Sequence, residues 1–160
     1  MDAPPPPPEP LARWAASRDG AALWLNATAV AVGRAGLLIL GAPGAGKSGL
    51  ALELIALGAS LIADDGVWLR PAPAGPVLAR RERAPELIEA RGIGLLQPGP
   101  VTPSAPLAVA VDLDRAELER LPPRRLVAIG AQTRPLILGA GQRTLAPSLL
   151  LLARTGRAAP

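Results

Sequence analysis

The stretch Gly41-Ala42-Pro43-Gly44-Ala45-Gly46-Lys47-Ser48 decides the fold of this 160-residue chain. It fits the pattern Gly-x-x-x-x-Gly-Lys-Ser/Thr of phosphate-binding loops. The glycines let backbone N–H groups turn toward phosphate oxygens, Lys47 reaches the terminal phosphates, and Ser48 offers a hydroxyl to Mg²⁺. Lys47 is the only lysine of the chain, and its slender ammonium suits a tight loop better than a planar guanidinium does. We therefore predict that all eight residues form a nucleotide site.

The residues around this loop predict a strand before it and a helix after it. Leu37–Leu40 is a fully apolar run, as expected for a buried strand. Ser48–Leu57 has leucines at helical spacing, and Gly58 follows as a helix stop. A strand, a glycine-rich loop and a helix in this order are the context that a phosphate loop requires.

The rest of the chain alternates short apolar runs with glycine and proline breaks. We predict a strand over Ala21–Val32 and another over Leu107–Val111. Asp112–Arg120 begins with acidic residues and predicts a short helix, and Leu145–Arg154 predicts a closing helix. Further short strands are expected at Leu61–Ala63, Val67–Leu69, Leu126–Ile129 and Leu136–Leu138. The pattern indicates an α/β domain with hairpins and a mixed sheet.

Composition excludes several kinds of chemistry. The chain contains no cysteine and no histidine, which removes disulfides, thiolate or imidazole metal ligands, and catalytic triads built on histidine. Hydrophobic residues make up 49% of the chain but aromatic residues only 2%, so the core consists of aliphatic side chains. Catalysis would depend on carboxylates, hydroxyls, lysine, arginine or backbone amides.

The net charge of +4 does not indicate a nucleic-acid partner. Sixteen arginines are scattered along the chain, and Arg80-Arg81 and Arg124-Arg125 are the only adjacent pairs. No aromatic residues alternate with them, as a surface that stacks single-stranded bases would need. We expect no nucleic-acid binding.

The termini predict no membrane or export segment. The start of the chain carries prolines from Pro4 to Pro8 and lacks the apolar core of a signal peptide. We expect a proline-rich disordered arm and lead-in over residues 1–19, one domain over residues 20–155 and a tail over residues 156–160. No apolar run reaches the roughly 20 residues of a spanning helix, so we expect a cytoplasmic protein.

Two adjacent carboxylates follow the predicted strand Leu61–Ala63. An acid at the end of a strand beside a phosphate loop can hold Mg²⁺ or accept a hydroxyl proton. Neighbouring residues of an extended strand point in opposite directions, so one of Asp64 and Asp65 should face the phosphates. Asp65-Gly66 is equally typical of a hairpin turn, and the residues alone leave both interpretations open.

With these residues in place, the chain resembles the C-terminal kinase domain of HPr kinase/phosphorylase. The likeness runs from about Leu25 to Leu96 and rests on Ala27-Thr28-Ala29-Val30, the phosphate loop, Ala51-Leu52-Glu53-Leu54-Ile55, Ala63-Asp64-Asp65 and Glu89-Ala90-Arg91-Gly92-Ile93-Gly94. The short length is similar to the branch of the family without an N-terminal domain. The resemblance implies a phosphate-loop domain of the phosphoenolpyruvate-carboxykinase-like type, with a mixed sheet, hairpins and flanking helices.

The resemblance also implies roles for individual residues. Asp65 matches the catalytic aspartate, which accepts the proton of a serine hydroxyl. Ser48 and Glu89 match the Mg²⁺ ligands, and Asp64 is a third candidate. Without the family, Glu89 is more typical of a solvated side chain.

Three departures from the family affect the expected activity. The family has a histidine fifteen residues before the first loop glycine, where this chain has Asn26. Asparagine orients a partner by hydrogen bonds but carries no proton or charge, so we expect a reduced or altered activity. No loop tied to the reverse phosphorolysis reaction follows Gly130, and a later catalytic arginine has only Arg124, Arg125 and Arg134 as candidates.

Arg91 falls in the segment that is characteristic of the family. It is expected to neutralise charge on the transferring phosphate, as an arginine does when a phosphoryl group moves. From the sequence alone, a surface ion pair with Glu89 or Glu86 is the other interpretation. Lys47, Asn26, Arg91 and Asp65 are therefore the candidate catalytic residues.

The leading hypothesis is an ATP- and Mg²⁺-dependent protein-serine kinase acting on an HPr-like phosphocarrier of the phosphotransferase system. The alternative is a non-catalytic ATP- or ADP-binding regulator that acts through a partner protein. A third hypothesis is a small-molecule kinase that uses Arg80, Arg81 and Arg83 as a lid. Longer family members form hexamers, whereas the short branch need not, so a homo-oligomer stays open.

Overall fold

Short strands dominate the architecture because glycine and proline interrupt the apolar runs. The computed structural model describes residues 4–158. Its α-helices are α1 (Lys47–Ala56) and α2 (Leu145–Thr155), and Leu11–Trp14 forms a 3₁₀ turn. Its strands are β1 (Glu9–Pro10), β2 (Ala15–Asp19), β3 (Ala22–Leu25), β4 (Thr28–Val32), β5 (Ala35–Leu40), β6 (Ser60–Ala63), β7 (Val67–Arg70), β8 (Val77–Ala79), β9 (Ile88–Ala90), β10 (Gly94–Leu96), β11 (Ser104–Asp112), β12 (Leu126–Ile129) and β13 (Gln132–Leu138).

A central layer of the sheet surrounds the strand that precedes the phosphate loop. Its order is β6-β4-β5-β11-β13, with β11 parallel to both β5 and β13, and β4 antiparallel to β5 and β6. Strand β5 is buried on both faces, which explains why it is apolar without alternation. The mixed sheet confirms the prediction from the alternating apolar runs.

A second layer of the sheet begins at β11, which is long enough to take part in both layers. Its first residues pair with β8, and the order continues through β7 and β3 to β2. The register of β11 against β5 shifts between Leu107 and Val109, and such an irregularity bends a strand. Strand β12 pairs with β13 and accepts the short β1 at its outer edge.

Two apolar clusters hold these layers together. Leu38 and Leu40 face the second layer, whereas Leu37 and Ile39 pack beneath the helices. Both helices lie on the same face, since Leu54 of α1 and Leu149 of α2 belong to one cluster. The helix predicted over Leu145–Arg154 is confirmed as α2, and the one predicted over Ser48–Leu57 is confirmed as α1.

The prediction of a single strand over Ala21–Val32 is wrong. The chain forms β3 in the second layer and β4 in the central layer, with Asn26 and Ala27 at the crossing. Both strands are apolar, and a continuous apolar pattern does not reveal where a chain passes from one layer to another.

The helix predicted over Asp112–Arg120 is also wrong. Residues 113–120 form bends and an isolated bridge between Ala116 and Gly139. The backbone N–H of Asp114 donates to the carboxylate of Asp112 at 2.9 Å. A bond of this kind competes with helix formation because it takes up the groups that would start the helix.

The N-terminal segment is more ordered than the sequence suggested. Residues 9–19, which we expected in a disordered arm and lead-in, form β1, a 3₁₀ turn and β2. Leu11 is fully buried in the core between the layers, so it anchors this segment by the hydrophobic effect. The first part of the predicted arm, residues 1–3, and the end of the predicted tail, residues 159–160, lie outside the described residues.

Candidate functional site

Three strand ends meet at one edge of the central layer. Strands β5 and β11 are parallel, and β5 and β6 both run antiparallel to β4, so β5, β6 and β11 point the same way. The phosphate loop follows β5, Asp64 follows β6, and Asp112 closes β11. In open sheets with parallel strands, ligands bind beyond the carboxyl ends of the strands. The topology therefore places the loop and these acids at a common edge.

The loop conformation depends on its first glycine and on its lysine. Gly41 has a φ of +155°, and a Cβ on this residue would lie 2.8 Å from the Cβ of Ala45. A larger residue would therefore displace the backbone of the loop. Lys47 donates from Nζ to the carbonyl oxygens of Gly41 at 2.8 Å and Ala42 at 3.1 Å, so its ammonium lies over the loop.

The first aspartate of the pair faces the loop. Asp64 Oδ1 accepts hydrogen bonds from the hydroxyls of Ser48 at 2.8 Å and Thr28 at 3.0 Å. Its other oxygen accepts the backbone N–H of Glu89 at 3.3 Å. Thr28 is fully buried, which fixes this side of the carboxylate. Three segments that are distant in sequence thus meet at Asp64.

The second aspartate lies in a different environment. Asp65 is exposed and has a φ of +58°, in the left-handed region that asparagine and aspartate tolerate better than other side chains. The hairpin interpretation of Asp65-Gly66 is wrong, because β6 pairs with β4 whereas β7 pairs with β3 and β8. The dipeptide instead carries the chain from the central layer to the second layer.

A cavity of about 290 Å³ opens beside the two aspartates. Its polar lining comes from Asp64, Asp65, Arg81 and Glu89, and Trp24 and Leu95 are among the apolar residues of its wall. The cavity has the size that admits one side chain or a small group. Of the arginines proposed as a lid, Arg81 lines this cavity.

The remaining candidates are placed less centrally. Glu89 lines the cavity, but its contact with Asp64 is through the backbone N–H. Arg91 is exposed in the turn between β9 and β10, and Asn26 is exposed between β3 and β4. Within residues 4–158, the ion pair of Glu86 is with Arg80 at 3.2 Å and not with Arg91.

A group of residues that the sequence motifs do not reveal supports the loop from its other side. Asp114 accepts the backbone N–H of Ala42 with both carboxylate oxygens, each at 3.0 Å. Asp112 is buried and accepts Arg115 Nε at 2.6 Å, and Arg115 also bonds both oxygens of Glu9. Hydrogen bonding to Glu9 and Asp112 raises the pKa of Arg115.

A signal for this group was present in the sequence. Asp112 and Asp114 stand at the end of the apolar run Leu107–Val111, which is where polar residues of a site are expected beside a phosphate loop. The same two acids fit the first turn of a helix, which is the interpretation that the sequence favours. The long-range contact with Ala42 is not visible in any local pattern.

The donor set at Asp64 is consistent with Mg²⁺ bound together with a nucleotide. The described residues hold no group of three or more His, Cys, Asp or Glu side chains with the geometry of a metal site. Magnesium bound with phosphates needs only one or two carboxylates from the protein, since water and phosphate oxygens complete its shell. Asp64, Ser48 and Glu89 would supply such a partial set.

A slightly larger cavity lies elsewhere. It measures about 310 Å³, and its lining includes apolar residues of β11, β13 and α2, with Arg124 and Arg125 in its wall. Arg125 is bound to Glu117 at 2.8 Å, and Arg134 donates to the carbonyl of Leu107 at 2.8 Å. None of the three arginines suggested as a later catalytic residue lines the cavity at Asp65.

Comparison with known proteins identifies the family. The family model of the HPr serine kinase C-terminal domain matches residues 22–101, which is 80 of the 160 residues. The chain belongs to this family. The match includes the phosphate loop, both aspartates and the β9–β10 hairpin, so the resemblance noted in the sequence is confirmed.

Individual relatives agree with this assignment. A stretch of 62 residues is 47% identical to the HPr kinase/phosphorylase of Bordetella pertussis and covers 38% of this chain and 20% of that protein. A stretch of 86 residues is 36% identical to the HPr kinase/phosphorylase of Halalkalibacterium halodurans and covers 49% of this chain and 28% of that protein. The matches thus span less than a third of these curated relatives.

A solved structure shows the same fold. The Hpr(Ser) kinase/phosphatase from Coxiella burnetii superposes with a TM-score of 0.67, and the match covers 82% of this chain and 88% of that chain at 23% identity. The predicted mixed α/β fold of an HPr kinase domain is therefore confirmed.

Within residues 4–158, neither helix is long and apolar enough to cross a membrane.

Proposed function

We propose that this chain is a protein-serine kinase that uses ATP and Mg²⁺ to phosphorylate an HPr-like phosphocarrier. The observation that carries the proposal is the convergence on Asp64. Ser48 from the phosphate loop, Thr28 from β4 and the backbone of Glu89 from the β9–β10 hairpin all bond this carboxylate. Asp65 lies next to it in a cavity open to solvent.

The loop side of the site would bind the nucleotide. The backbone N–H groups of residues 41–48 and the start of α1 favour an anion, and Lys47 would exchange its loop carbonyls for phosphate oxygens. Bound Mg²⁺ supplies neutralisation of the charge on the phosphates. Asp64 holds the Ser48 hydroxyl toward the phosphates, and Glu89 adds a second carboxylate.

Asp65 would act on the acceptor. The serine hydroxyl gives its proton to a carboxylate oxygen of Asp65 while its oxygen forms a bond to the γ-phosphorus. The bond from the γ-phosphorus to the bridging oxygen breaks, and ADP leaves with that electron pair. Arg91 stands on the adjacent hairpin, where it can approach the transferring group when a partner binds. Reverse phosphorolysis is proposed to be weak or absent.

One observation favours the alternative of a nucleotide-binding regulator. Asn26 is exposed at the crossing between β3 and β4, two residues before Thr28. The resemblance to the family implies a histidine at this position, and a neutral amide supplies neither a proton nor a positive charge. A protein that binds nucleotide but has lost transfer could act through a partner instead. A cytoplasmic location is part of the proposal in either case, and the oligomeric state stays open.

Phosphate transfer from labelled ATP tests the proposal. The native protein, Mg²⁺ and the HPr-like carrier of the same organism are expected to give labelled carrier. Lys47→Ala should lose the label because it loses nucleotide binding. Asp65→Asn should lower the transfer rate by about 10²- to 10⁴-fold, the usual contribution of a general base, while calorimetry still detects nucleotide binding.

Each result has a distinct meaning. Full turnover by Asp65→Asn would contradict the role of Asp65 as proton acceptor. No label with the native protein, together with intact nucleotide binding, would favour the regulator. Asn26→His would then be the variant with which to ask whether the histidine alone restores transfer.

A further inference from the structure

The cavity of about 310 Å³ between α2 and β13 has no part in the candidate site. It shares no lining residue with the cavity of Asp65. Both helices pack on β4 and β5, whereas β13 forms the outer edge of the same layer. The cavity occupies the space that this arrangement leaves between α2 and β13. We call it the α2–β13 cavity.

The floor of the α2–β13 cavity is aliphatic. Four half-buried residues that pack against the apolar cluster beneath the helices line it, namely Ala108, Ile137, Leu152 and Ala153. Their open side leaves apolar surface in contact with water. A ligand with an apolar body would remove this surface from water, which is favourable in proportion to the area covered.

The charged residues of the cavity lining carry an excess of positive charge. They are Glu117, Arg124, Arg125 and Arg157. The carboxylate of Glu117 is only 8% exposed and bonds Arg125 Nε at 2.8 Å, so these two charges neutralise each other. Within residues 4–158, neither Arg124 nor Arg157 takes part in an ion pair. Two guanidinium charges are therefore left for an anion.

Both arginines are attached to parts of the wall that the fold holds in place. Arg157 follows α2 and donates to the carbonyl oxygen of Pro122, which joins the end of the helix to the segment before β12. The residue after Arg124 accepts the backbone N–H of Leu136 at 2.9 Å. A guanidinium has five N–H donors in a planar fork that matches a carboxylate, so Arg157 keeps donors for a ligand.

We propose that the α2–β13 cavity binds a small organic carboxylate with an apolar body. The apolar body lies on the aliphatic floor, and the carboxylate bonds Arg124 and Arg157. An apolar cavity of this volume with a few polar groups at one side is typical of a site for small molecules. A cationic ligand would meet two like charges there. The inference does not depend on the proposed kinase function, because the cavity is separate from that site.

Three probes with the same eight-carbon chain test the class of ligand. Octanoate carries a negative end group, octan-1-ol a neutral one and octylammonium a positive one. Each is titrated into the native protein while amide signals are followed by NMR, which gives both the affinity and the residues affected. Octanoate should shift the signals of Ile137 and Ala153 in a saturable way. Its affinity should exceed that of octylammonium by at least about 10-fold, the effect of two partly exposed guanidinium groups.

Matched variants separate the floor from the arginines. Ala153→Phe fills the cavity and should abolish octanoate binding, whereas Leu151→Phe, at a position that is 60% exposed on the same helix, should bind octanoate as the native protein does. The double variant Arg124→Gln with Arg157→Gln should weaken octanoate by about 10-fold.

The double variant should leave the affinity for octan-1-ol within about twofold of the native value, since the floor is unchanged. Both arginines are exposed, so this variant tests the inference even if Ala153→Phe does not fold. Arg154→Gln is its control, because Arg154 is exposed on α2 but does not line the cavity.

Several outcomes would overturn the proposal. One is equal affinity for octanoate and octylammonium, and another is no saturable octanoate binding up to about 10 mM, a generous limit for a ligand of this size. Octanoate shifts confined to residues 41–48 would place the anion at the phosphate loop instead. Signals of the cavity that shift with protein concentration alone, together with a dimeric mass in light scattering, would show that the cavity joins copies of this chain. Lys47→Ala should bind octanoate normally, whatever its effect on phosphate transfer.

Discussion

The phosphate loop lies between the end of β6 and the end of β11, and both ends carry aspartates. The aspartates on these two flanks of the loop accept hydrogen bonds from different groups. On the β6 flank, Asp64 accepts two side-chain hydroxyls and borders an open cavity. On the β11 flank, Asp112 and Asp114 accept backbone N–H groups and the guanidinium of Arg115. The β6 flank borders an open cavity, whereas the β11 flank bonds the backbone of the loop and Arg115.

This difference suggests how the molecule divides chemistry from support. A hydroxyl such as that of Ser48 can rotate and exchange its partner when a ligand arrives. The backbone N–H of Ala42 cannot rotate, so the carboxylate of Asp114 constrains the loop. We therefore expect substitutions on the β6 flank to change transfer most, and those on the β11 flank to change affinity or stability.

Of the substitutions that compare the two flanks, Asp64→Ala is expected to have the largest effect. The variant removes the partner of Ser48 and leaves the buried hydroxyl of Thr28 unpaired, which costs about 1–3 kcal/mol of stability. We expect transfer to fall at least about 10²-fold and the Mg²⁺ concentration for half-maximal rate to rise. Rates measured over a Mg²⁺ titration check this, with Asp64→Asn as the isosteric control. Wild-type Mg²⁺ dependence in Asp64→Ala would show that the two flanks are not divided as proposed.

A smaller effect on the same flank is expected for Gly66→Ala. A Cβ on Gly66 would lie 2.4 Å from Cζ2 of Trp24, whose ring packs edge to face with Trp68 at 5.2 Å. The clash would displace Asp65, and a displacement of about 1 Å can lower a rate by about 10²-fold. We expect kcat to fall about 10- to 100-fold while nucleotide affinity is retained.

A second variant separates this displacement from general damage. Combining Gly66→Ala with Trp24→Leu provides space for the added methyl group, so part of the lost kcat should return. Trp24→Leu alone serves as the reference in the double-mutant cycle. Strictly additive losses would mean that the contact with Trp24 does not position Asp65.

On the β11 flank, Asp114→Ala should weaken nucleotide binding without changing the chemical step. The variant loses the carboxylate that accepts the N–H of Ala42 at 3.0 Å. Because Asp114 is exposed and water can replace it, we expect the Kd for ATP to rise only about 3- to 10-fold. Calorimetry and a kcat within about twofold of the native value would check this. A loss of kcat as large as that of Asp64→Ala would remove the distinction between the flanks.

The two flanks also differ in how well the sequence predicts them. The strand, loop and helix around Lys47 were predictable because their interactions lie within neighbouring residues and follow a spacing rule. Asp64 was found because it ends a short apolar run near that loop. The role of Asp64 in binding Mg²⁺ or a nucleotide stays a prediction.

The β11 flank depends on contacts that no local pattern contains. The acids at Asp112 and Asp114 resemble the first turn of a helix. The local bond from the N–H of Asp114 to Asp112 competes with that helix, and the carboxylate of Asp114 is in addition bound to Ala42, 72 positions away. Arg115 likewise reaches back to Glu9 across 106 positions. That contact also helps explain why residues expected in a disordered arm join the sheet. Long-range polar contacts of this kind are not contained in a local sequence pattern.

The smallest effect is expected at the far end of the β11 flank. The side chain of Glu117 is only 8% exposed and bonds Arg125 Nε at 2.8 Å, which ties the segment after β11 to the start of β12. Hydrogen bonding to Arg125 lowers the pKa of Glu117 below its ordinary value of 4.5. A lowered pKa in the folded state stabilises the protein above the unfolded pKa, and this contribution is lost as the pH falls through the folded pKa.

The ion pair of Glu117 with Arg125 lies between exposed and buried pairs in its surroundings, so we assign it about 2 kcal/mol of stability. Glu117→Gln should therefore lower the Tm at pH 7 by roughly 4–8 °C. The difference from the native protein should shrink as the pH falls below 4.5, the ordinary pKa of the carboxyl. The exposed neighbour Glu119 provides the control, since Glu119→Gln should leave the Tm nearly unchanged. Thermal unfolding between about pH 3 and 7 checks the sign. Glu117 lies outside the cavity of Asp65, so the ATP affinity and the kcat of Glu117→Gln should equal the native values although its Tm falls. A parallel loss of transfer at neutral pH would show that the β11 flank takes part in the chemistry.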